Sequence, residues 1–273
     1  MDKNGGILMK KAIFFDIDGT LLHYFGGITD MTSKVKESIR SLQNEGHYVF
    51  IATGRPYAFL SKPILDFGFD GFILANGAQV IVKNKTIHSE YIDKEFIKDL
   101  TNELEKLNIQ YVLEGEYYSY MKESCKDFYD FYDLVGVSRD LLQSDFSIDE
   151  IGVYKLEMLC HNNEAMNSCL DIVQRNDEYD YVNSIDLKSF ELYSKKNTKA
   201  TGIIKALEFL DIDIKNSYAF GDGKNDIEML STVGCGIAME NASDEVKKYA
   251  NKVTDSVQND GVAIGIEKYI LNN

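Results

Sequence analysis

Short, unbroken apolar runs that each end on glycine and polar side chains constrain this chain more than any other feature. Residues 11–15 (Lys-Ala-Ile-Phe-Phe) are continuous rather than alternating, the pattern of a strand buried on both faces of a parallel sheet. Spacing through Val35, Ile39 and Leu42 predicts a helix over 32–45, and 48–52 is the next apolar run. Residues 56–66 read as a second helix with Pro56 in its first turn, where proline is tolerated, and 71–75 as a third strand. A β-α-β-α-β order implies right-handed crossovers and an α/β fold with a doubly wound, Rossmann-like parallel sheet. The texture returns near residue 198, with helices over 200–210 and 225–230 and strands over 217–220 and 236–239. Ser243 is placed to cap a further helix, with Asp244 and Glu245 in its first turn.

Residues 84–195 differ. Strand-like runs at 87–92, 111–114, 117–121, 154–159 and 187–193 mix with helices near 94–107, 123–134 and 164–175, which predicts an inserted α+β domain. Charge marks the same division. The 273 residues carry 44 acidic and 29 basic side chains, and 24 of the acidic but only 11 of the basic ones lie in 84–195. The net charge of −15 is thus concentrated in the insert, while the expected core, 1–83 with 196–273, is nearly neutral. Such acidity lacks the basic footprint that binds a nucleic-acid backbone or an anionic membrane surface. No run approaches 18 apolar residues, and the apolar stretch before Lys10 is too short for a signal peptide, so it reads as an extension of the fold. Cys125, Cys160, Cys169 and Cys235 show no paired CxxC spacing and read as reduced thiols of a cytoplasmic protein.

In an open α/β sheet, ligands bind at the carboxyl ends of the strands, where this chain concentrates its chemistry. Asp16-Ile17-Asp18-Gly19-Thr20 follows the first strand. Two carboxylates so close repel unless a proton or a hard cation such as Mg²⁺ intervenes; a polar turn explains the pair equally well in isolation. Gly221-Asp222-Gly223-Lys224-Asn225-Asp226 follows a second strand and offers metal or phosphate ligands, or simply a glycine-rich loop. Thr53-Gly54-Arg55 supplies a hydroxyl, backbone N–H groups and a guanidinium, all phosphate-binding groups. Lys199 opens the helix after the insert, and Asn76-Gly77 ends the third strand. In the insert, Tyr117, Tyr118, Tyr120, Phe128, Tyr129, Phe131 and Tyr132 form an aromatic cluster that could stack on a sugar or a flat ring, although helical spacing points to Phe128, Phe131 and Tyr132 as core or subunit contacts.

The order Asp-x-Asp-Gly-Thr, Thr-Gly-Arg, Lys, Gly-Asp-Gly-x-Asn-Asp is far more specific than any of its parts. In these motifs the chain resembles the haloacid dehalogenase-like phosphohydrolases, in their Cof-type branch, whose cap domain is inserted between the second and third motifs. The resemblance implies that Asp16 is a nucleophile that becomes an aspartyl-phosphate. It implies that Asp18 is the general acid and then base, and that its main-chain carbonyl helps Asp16 and Asp222 hold Mg²⁺. Thr53, Gly54, Lys199 and Asn225 would hold the phosphoryl oxygens, with Asp226 in support. Arg55 and Asn76 are candidate substrate-binding residues; Asn76-Gly77 resembles a family position near the entrance to the site, and a tight turn explains it equally well. Ala200 follows Lys199 where the family often has glycine.

The chemistry agrees. A phosphate monoester repels an attacking carboxylate, and a cation, Lys199 and backbone N–H groups would offset that charge. The acid at Asp18, which the dehalogenases and ion pumps of the superfamily lack, points to ester hydrolysis. The expected substrate is a small phosphate monoester, a sugar phosphate or phosphorylated cofactor, selected by the cap. The same residues would also serve a phosphomutase or phosphotransferase, or a non-catalytic phospholigand-binding regulator; oligomeric state is not legible.

Overall fold

A computed structural model describes residues 10–134, 137–185 and 188–272. The segment before Lys10, read above as an extension, lies outside them. The described residues form two compact units: one contains 10–54, Lys62–His88 and 198–272, the other Arg55–Ser61 and Ser89–Asn197.

The chain opens the first unit with β1 (Ala12–Phe15), α1 (Ser33–Asn44), β2 (Tyr48–Ala52), α2 (Lys62–Asp66), β3 (Gly71–Leu74), β4 (Gln79–Val82) and β5 (Lys85–Ser89). The expected helix over 56–66 is not continuous. Pro56 caps a single 3-10 turn at Tyr57–Phe59, Leu60 is extended, and α2 starts only at Lys62. Pro63 is the reason. It has no N–H to give the Phe59 carbonyl, and its ring would clash with that group four residues back. The Arg55 Nη1 donates to the Phe59 carbonyl instead, at 3.0 Å.

The second unit follows with α3 (Lys94–Lys106), β6 (Gln110–Glu114), β7 (Ser119–Tyr120), α4 (Lys126–Leu134), β8 (Leu142–Gln143), β9 (Lys155–Leu159), α5 (Asn163–Val173), β10 (Tyr179–Ser184) and β11 (Ser189–Ser194). Its sheet has the order β10-β11-β9-β6-β7-β8, antiparallel except where β7 meets β8. One face packs Tyr111, Leu113, Leu156, Met158, Phe190 and Leu192 against α3 and α5. On the other, Cys125 and, from α4, Phe128 and Tyr132 pack against Val112 and Leu142. Phe131, expected as core or a subunit contact, is 47% exposed and is not core. On a helix it lies about 60° from Phe128 and about 100° from Tyr132, to one side of the stripe they form. The strand expected over 117–121 shrinks to two residues, and that over 187–193 begins at Ser189, residue 187 lying outside the description.

The chain then returns to the first unit with α6 (Lys199–Leu210), β12 (Ser217–Gly221), α7 (Ile227–Thr232), β13 (Cys235–Ala238), α8 (Asp244–Lys247), β14 (Lys252–Val253) and α9 (Gly261–Ile266). Ser243 caps α8, accepting from the Val246 N–H. The sheet order is β14-β13-β12-β1-β2-β3-β4-β5, parallel from β14 to β3, with β4 antiparallel to β3. Alternate strand residues point to opposite faces. Phe14, Phe50, Ala52 and Ile73 meet Ile203 and Leu207 of α6 and Met229 of α7. Ile13, Phe15, Val49 and Ile51 are buried on the other side, where α1 packs on β2 and on α9. Both faces are covered, which explains the unbroken apolar runs. The fold is α/β with a parallel sheet core. Among the described residues no helix is long and apolar enough to cross a membrane.

Candidate active site

β1 lies at the switch point of its sheet: β2 and β3 extend to one side, β12, β13 and β14 to the other. Ligands of open α/β sheets bind outside the strand ends at such a point. Register does the rest. Phe15 is level with Phe220 and with Ile51, so Asp16, Gly221 and Ala52 leave the sheet at one height. The motifs that follow them therefore converge although some 200 residues separate the first from the last.

Asp16 is 5% exposed, and its N–H donates to the Phe220 carbonyl at 3.0 Å. Its Oδ1 accepts from the Lys199 Nζ at 2.5 Å, and the same ammonium donates to Asp226 Oδ1 at 2.6 Å. Asp226 Oδ2 accepts from the N–H groups of Asp222 and Gly223 at 2.9 and 2.8 Å. A buried chain thus runs from β1 through the first residue of α6 to the loop after β12. An ammonium at a helix N-terminus opposes the helix dipole, and burial opposes its charge. Asp16 and Asp226 outweigh both and hold the Lys199 pKa above its usual value. The helix start itself is fixed by Thr198, whose side chain accepts from the Thr201 N–H while Thr201 Oγ1 accepts from the Thr198 N–H.

Burial pushes the Asp16 carboxyl well above the usual carboxylate range against the pull of Lys199, and the nearby Asp226 and Asp18 push it further. Asp222 is pushed up to about 6, chiefly by burial, with the Thr20 hydroxyl opposing and Asp226 adding to the rise. Carboxylate oxygens of Asp16, Asp222 and Asp226 lie within 4.8 Å of one another. An all-oxygen set with excess negative charge fits a hard divalent cation, which would draw Asp16 and Asp222 back toward their ionised forms. The set differs from the one implied by resemblance in bringing in the side chain of Asp226; Asp18 lies within electrostatic reach, and its side chain is exposed.

Gly19 is required twice over. Its φ is +87°, and a Cβ there would stand 2.1 Å from Asp222 Oδ2. Thr53 is buried, its N–H donating to the Ile73 carbonyl at 2.9 Å. Asn225 Nδ2 donates to Asn76 Oδ1 at 3.2 Å, beside Gly54. Asp16, Asp18, Thr53, Gly54, Asn76, Lys199, Asn225 and Asp226 therefore belong, with Asp222, to one unit; Arg55 belongs to the other.

The sequence reading gave no role to Thr20, although it lies in the first motif, and missed Asn241. Thr20 Oγ1 donates to Asp222 Oδ1 at 3.0 Å, and Asn241 Nδ2 donates to Asp222 Oδ2 at 3.2 Å and to the Gly19 carbonyl at 2.9 Å. Asn241 is itself held by the Val257 N–H, which donates to its Oδ1 at 3.0 Å. Its signal was position: it follows the end of β13, another strand of the same sheet.

Residues 13–266 match the family described as haloacid dehalogenase-like hydrolase. YkrA of Bacillus subtilis, named for phosphatase activity without a stated substrate, is 34% identical over 262 residues, covering 95% of this chain and 97% of its own. A second B. subtilis protein, the 5-amino-6-(5-phospho-D-ribitylamino)uracil phosphatase YcsE, is 28% identical over 272 residues, 96% of each chain. The solved structure of the sugar phosphatase BT4131, of the superfamily's subclass IIB, superposes with a TM-score of 0.77 at 26% identity, covering 95% of this chain and 99% of its own. With the motif residues gathered at one switch point and the match running nearly end to end, the chain belongs to the haloacid dehalogenase-like hydrolases, in their Cof-type phosphatase branch.

Proposed function

We propose that the protein is a Mg²⁺-dependent phosphatase that hydrolyses a small phosphorylated metabolite, a sugar phosphate or phosphorylated cofactor, through an aspartyl-phosphate on Asp16. The observation that carries this reading is the buried Asp16–Lys199–Asp226 chain beside Asp222. It offers a nucleophile, a fixed positive charge and a site for a divalent cation at one sheet switch point. Mg²⁺ held by Asp16, Asp222 and the Asp18 carbonyl would supply charge to offset the phosphate.

The chain's own residues do the rest. A carboxylate oxygen of Asp16 forms the bond to phosphorus as the ester oxygen leaves, and Asp18 gives that oxygen its proton. Asp18 then takes a proton from water, whose oxygen attacks phosphorus and returns Asp16 as a free carboxylate with inorganic phosphate. Splitting hydrolysis into two displacements is covalent catalysis, and Lys199, Thr53, Gly54 and Asn225 stabilise charge on the phosphoryl oxygens in both. The second unit acts as a cap that selects the leaving group.

Phosphate release from a panel of phosphorylated metabolites, with and without Mg²⁺, tests the reading. Asp16→Asn should lower turnover by at least about 1000-fold, as loss of a nucleophile does. EDTA should abolish activity and Mg²⁺ restore it. Wild-type turnover by Asp16→Asn would sink the mechanism.

A further inference from the structure

After β3 the backbone takes a conformation that the catalytic roles above do not explain. Three successive residues are left-handed, with φ of +47° at Ala75, +53° at Asn76 and +96° at Gly77. Glycine adopts this region freely, asparagine tolerates it, and alanine is strained there. Strain of that kind persists only where the surroundings over-determine it.

Three contacts do so, each to a different segment of the site. The Asn76 N–H donates to the Thr53 carbonyl at 3.1 Å. The Asn76 side-chain oxygen accepts from Asn225 Nδ2 at 3.2 Å. Gly77 lies against the start of α6 so closely that a Cβ would stand 2.2 Å from the Thr198 carbonyl oxygen and 3.3 Å from the Gly202 nitrogen. The segments touched carry Thr53, Asn225 and Lys199, the three side chains that the phosphatase reading assigns to the phosphoryl group.

We propose that Ala75–Gly77 is a positioning turn that sets the mutual spacing of these three segments, with the Asn76 amide as the joint between Thr53-Gly54 and Asn225. The inference rests on the phosphatase reading for its consequence, not for its geometry. Each segment ends a different strand or starts a helix, so the sheet alone fixes their height but not their distance apart. The turn bonds or packs against all three. Asn76 acts through its neighbours, so its loss should be felt where the phosphoryl group is most demanding of geometry, in turnover more than in substrate binding.

Asn76→Gly separates this role from folding, because glycine takes the left-handed backbone without strain and only the amide is lost. Asn76→Asp keeps an acceptor oxygen for Asn225. The expected result in Asn76→Gly is amide hydrogen exchange about 10-fold faster in peptides covering 53–55 and 222–226, with β1 and β12 unchanged. Asn76→Asp should exchange as wild type does. On the monoester that wild type hydrolyses best, kcat of Asn76→Gly should fall about 10- to 100-fold with KM within about threefold, the scale of a small misplacement. Unaltered exchange in Asn76→Gly overturns the joint. Equal loosening of β1 and β12 also overturns it, by showing a general contribution to stability. A wild-type protein that releases phosphate from no monoester refutes the phosphatase reading alone, since exchange reports on the turn without turnover.

Discussion

Asp222 shows how a single carboxylate is fixed at both of its oxygens. Thr20 holds one oxygen and Asn241 the other, and Asn241 is tied in turn to Val257 and to the Gly19 carbonyl. Hydrogen bonds to a ligating carboxylate orient it, and their loss commonly weakens metal binding about 10- to 100-fold. Asn241 is exposed, and we expect Asn241→Ala to fold while weakening Mg²⁺ affinity by about 10-fold, toward the low end of that range. The Mg²⁺ concentration needed to raise the melting temperature would read this directly; an unshifted dependence would remove Asn241 from the site. Residues like this are hard to find in a sequence because an asparagine after a strand is an ordinary turn residue. Asp16 and Asp222 were legible because carboxylates at strand ends are expensive without a purpose. Asn76 was visible as an Asn-Gly turn, but its left-handed backbone and its bonds to Thr53 and Asn225 were not.

At the scale of elements, the second unit's sheet carries a charge cluster on one face. Lys155 on β9 is 4% exposed and lies 3.2 Å from Glu114 on β6, 3.0 Å from Glu191 on β11 and 3.7 Å from Glu157. Glu157 also accepts from the Tyr132 hydroxyl of α4 at 2.7 Å. Glu114 is fully buried, and burial pushes its pKa well up despite Lys155. Removing one member of such a group leaves an uncompensated charge, so Lys155→Met should cost about 3–5 kcal/mol. The double variant Lys155→Met with Glu114→Leu should recover much of that loss in urea unfolding. A Lys155→Met protein as stable as wild type would show that the cluster contributes nothing.

These elements also mark the limits of reading by pattern. The central strands β1, β2, β3, β12 and β13 were legible because they are largely apolar and buried on both faces, whereas β4 and the exposed, two-residue β14 were not read. β10 (Tyr-Asp-Tyr-Val-Asn-Ser) is an edge strand with exposed polar positions, and no apolar run announces it. The break before α2 was written in Pro63 but is easily missed when Pro56 looks like a helix start.

Across the whole molecule, His47 gives a test that does not involve the site. It is buried, its Nδ1 accepts from the Lys11 N–H at 3.3 Å, and Glu45 stands 3.7 Å from its Nε2. Burial, with help from the Lys11 ammonium and against Glu45, lowers its pKa below 6.5. The unfolded chain therefore takes up this proton first as pH falls. His47 stabilisation is complete above pH 6.5 and is lost below it, down through the folded pKa. The stability difference between wild type and His47→Gln should thus shrink between about pH 7 and pH 5. A difference that does not change with pH would mean the ring is not held neutral.

Asp16 and Lys199 are 183 residues apart in the chain. A ribosome delivers β1 and Asp16 before most of the second unit, and the ammonium and β12 only after the entire second unit has been made. Until then β1 has an open flank where β12 must dock, and its carboxylate has no partner. Closing so long a loop is slow, and the parallel pair it creates must form across it. Folding of the first unit is therefore tied to completion of the second: the Asp16 carboxylate is made well before its partners, and the Asp16–Lys199–Asp226 chain can close only after the second unit has been synthesised.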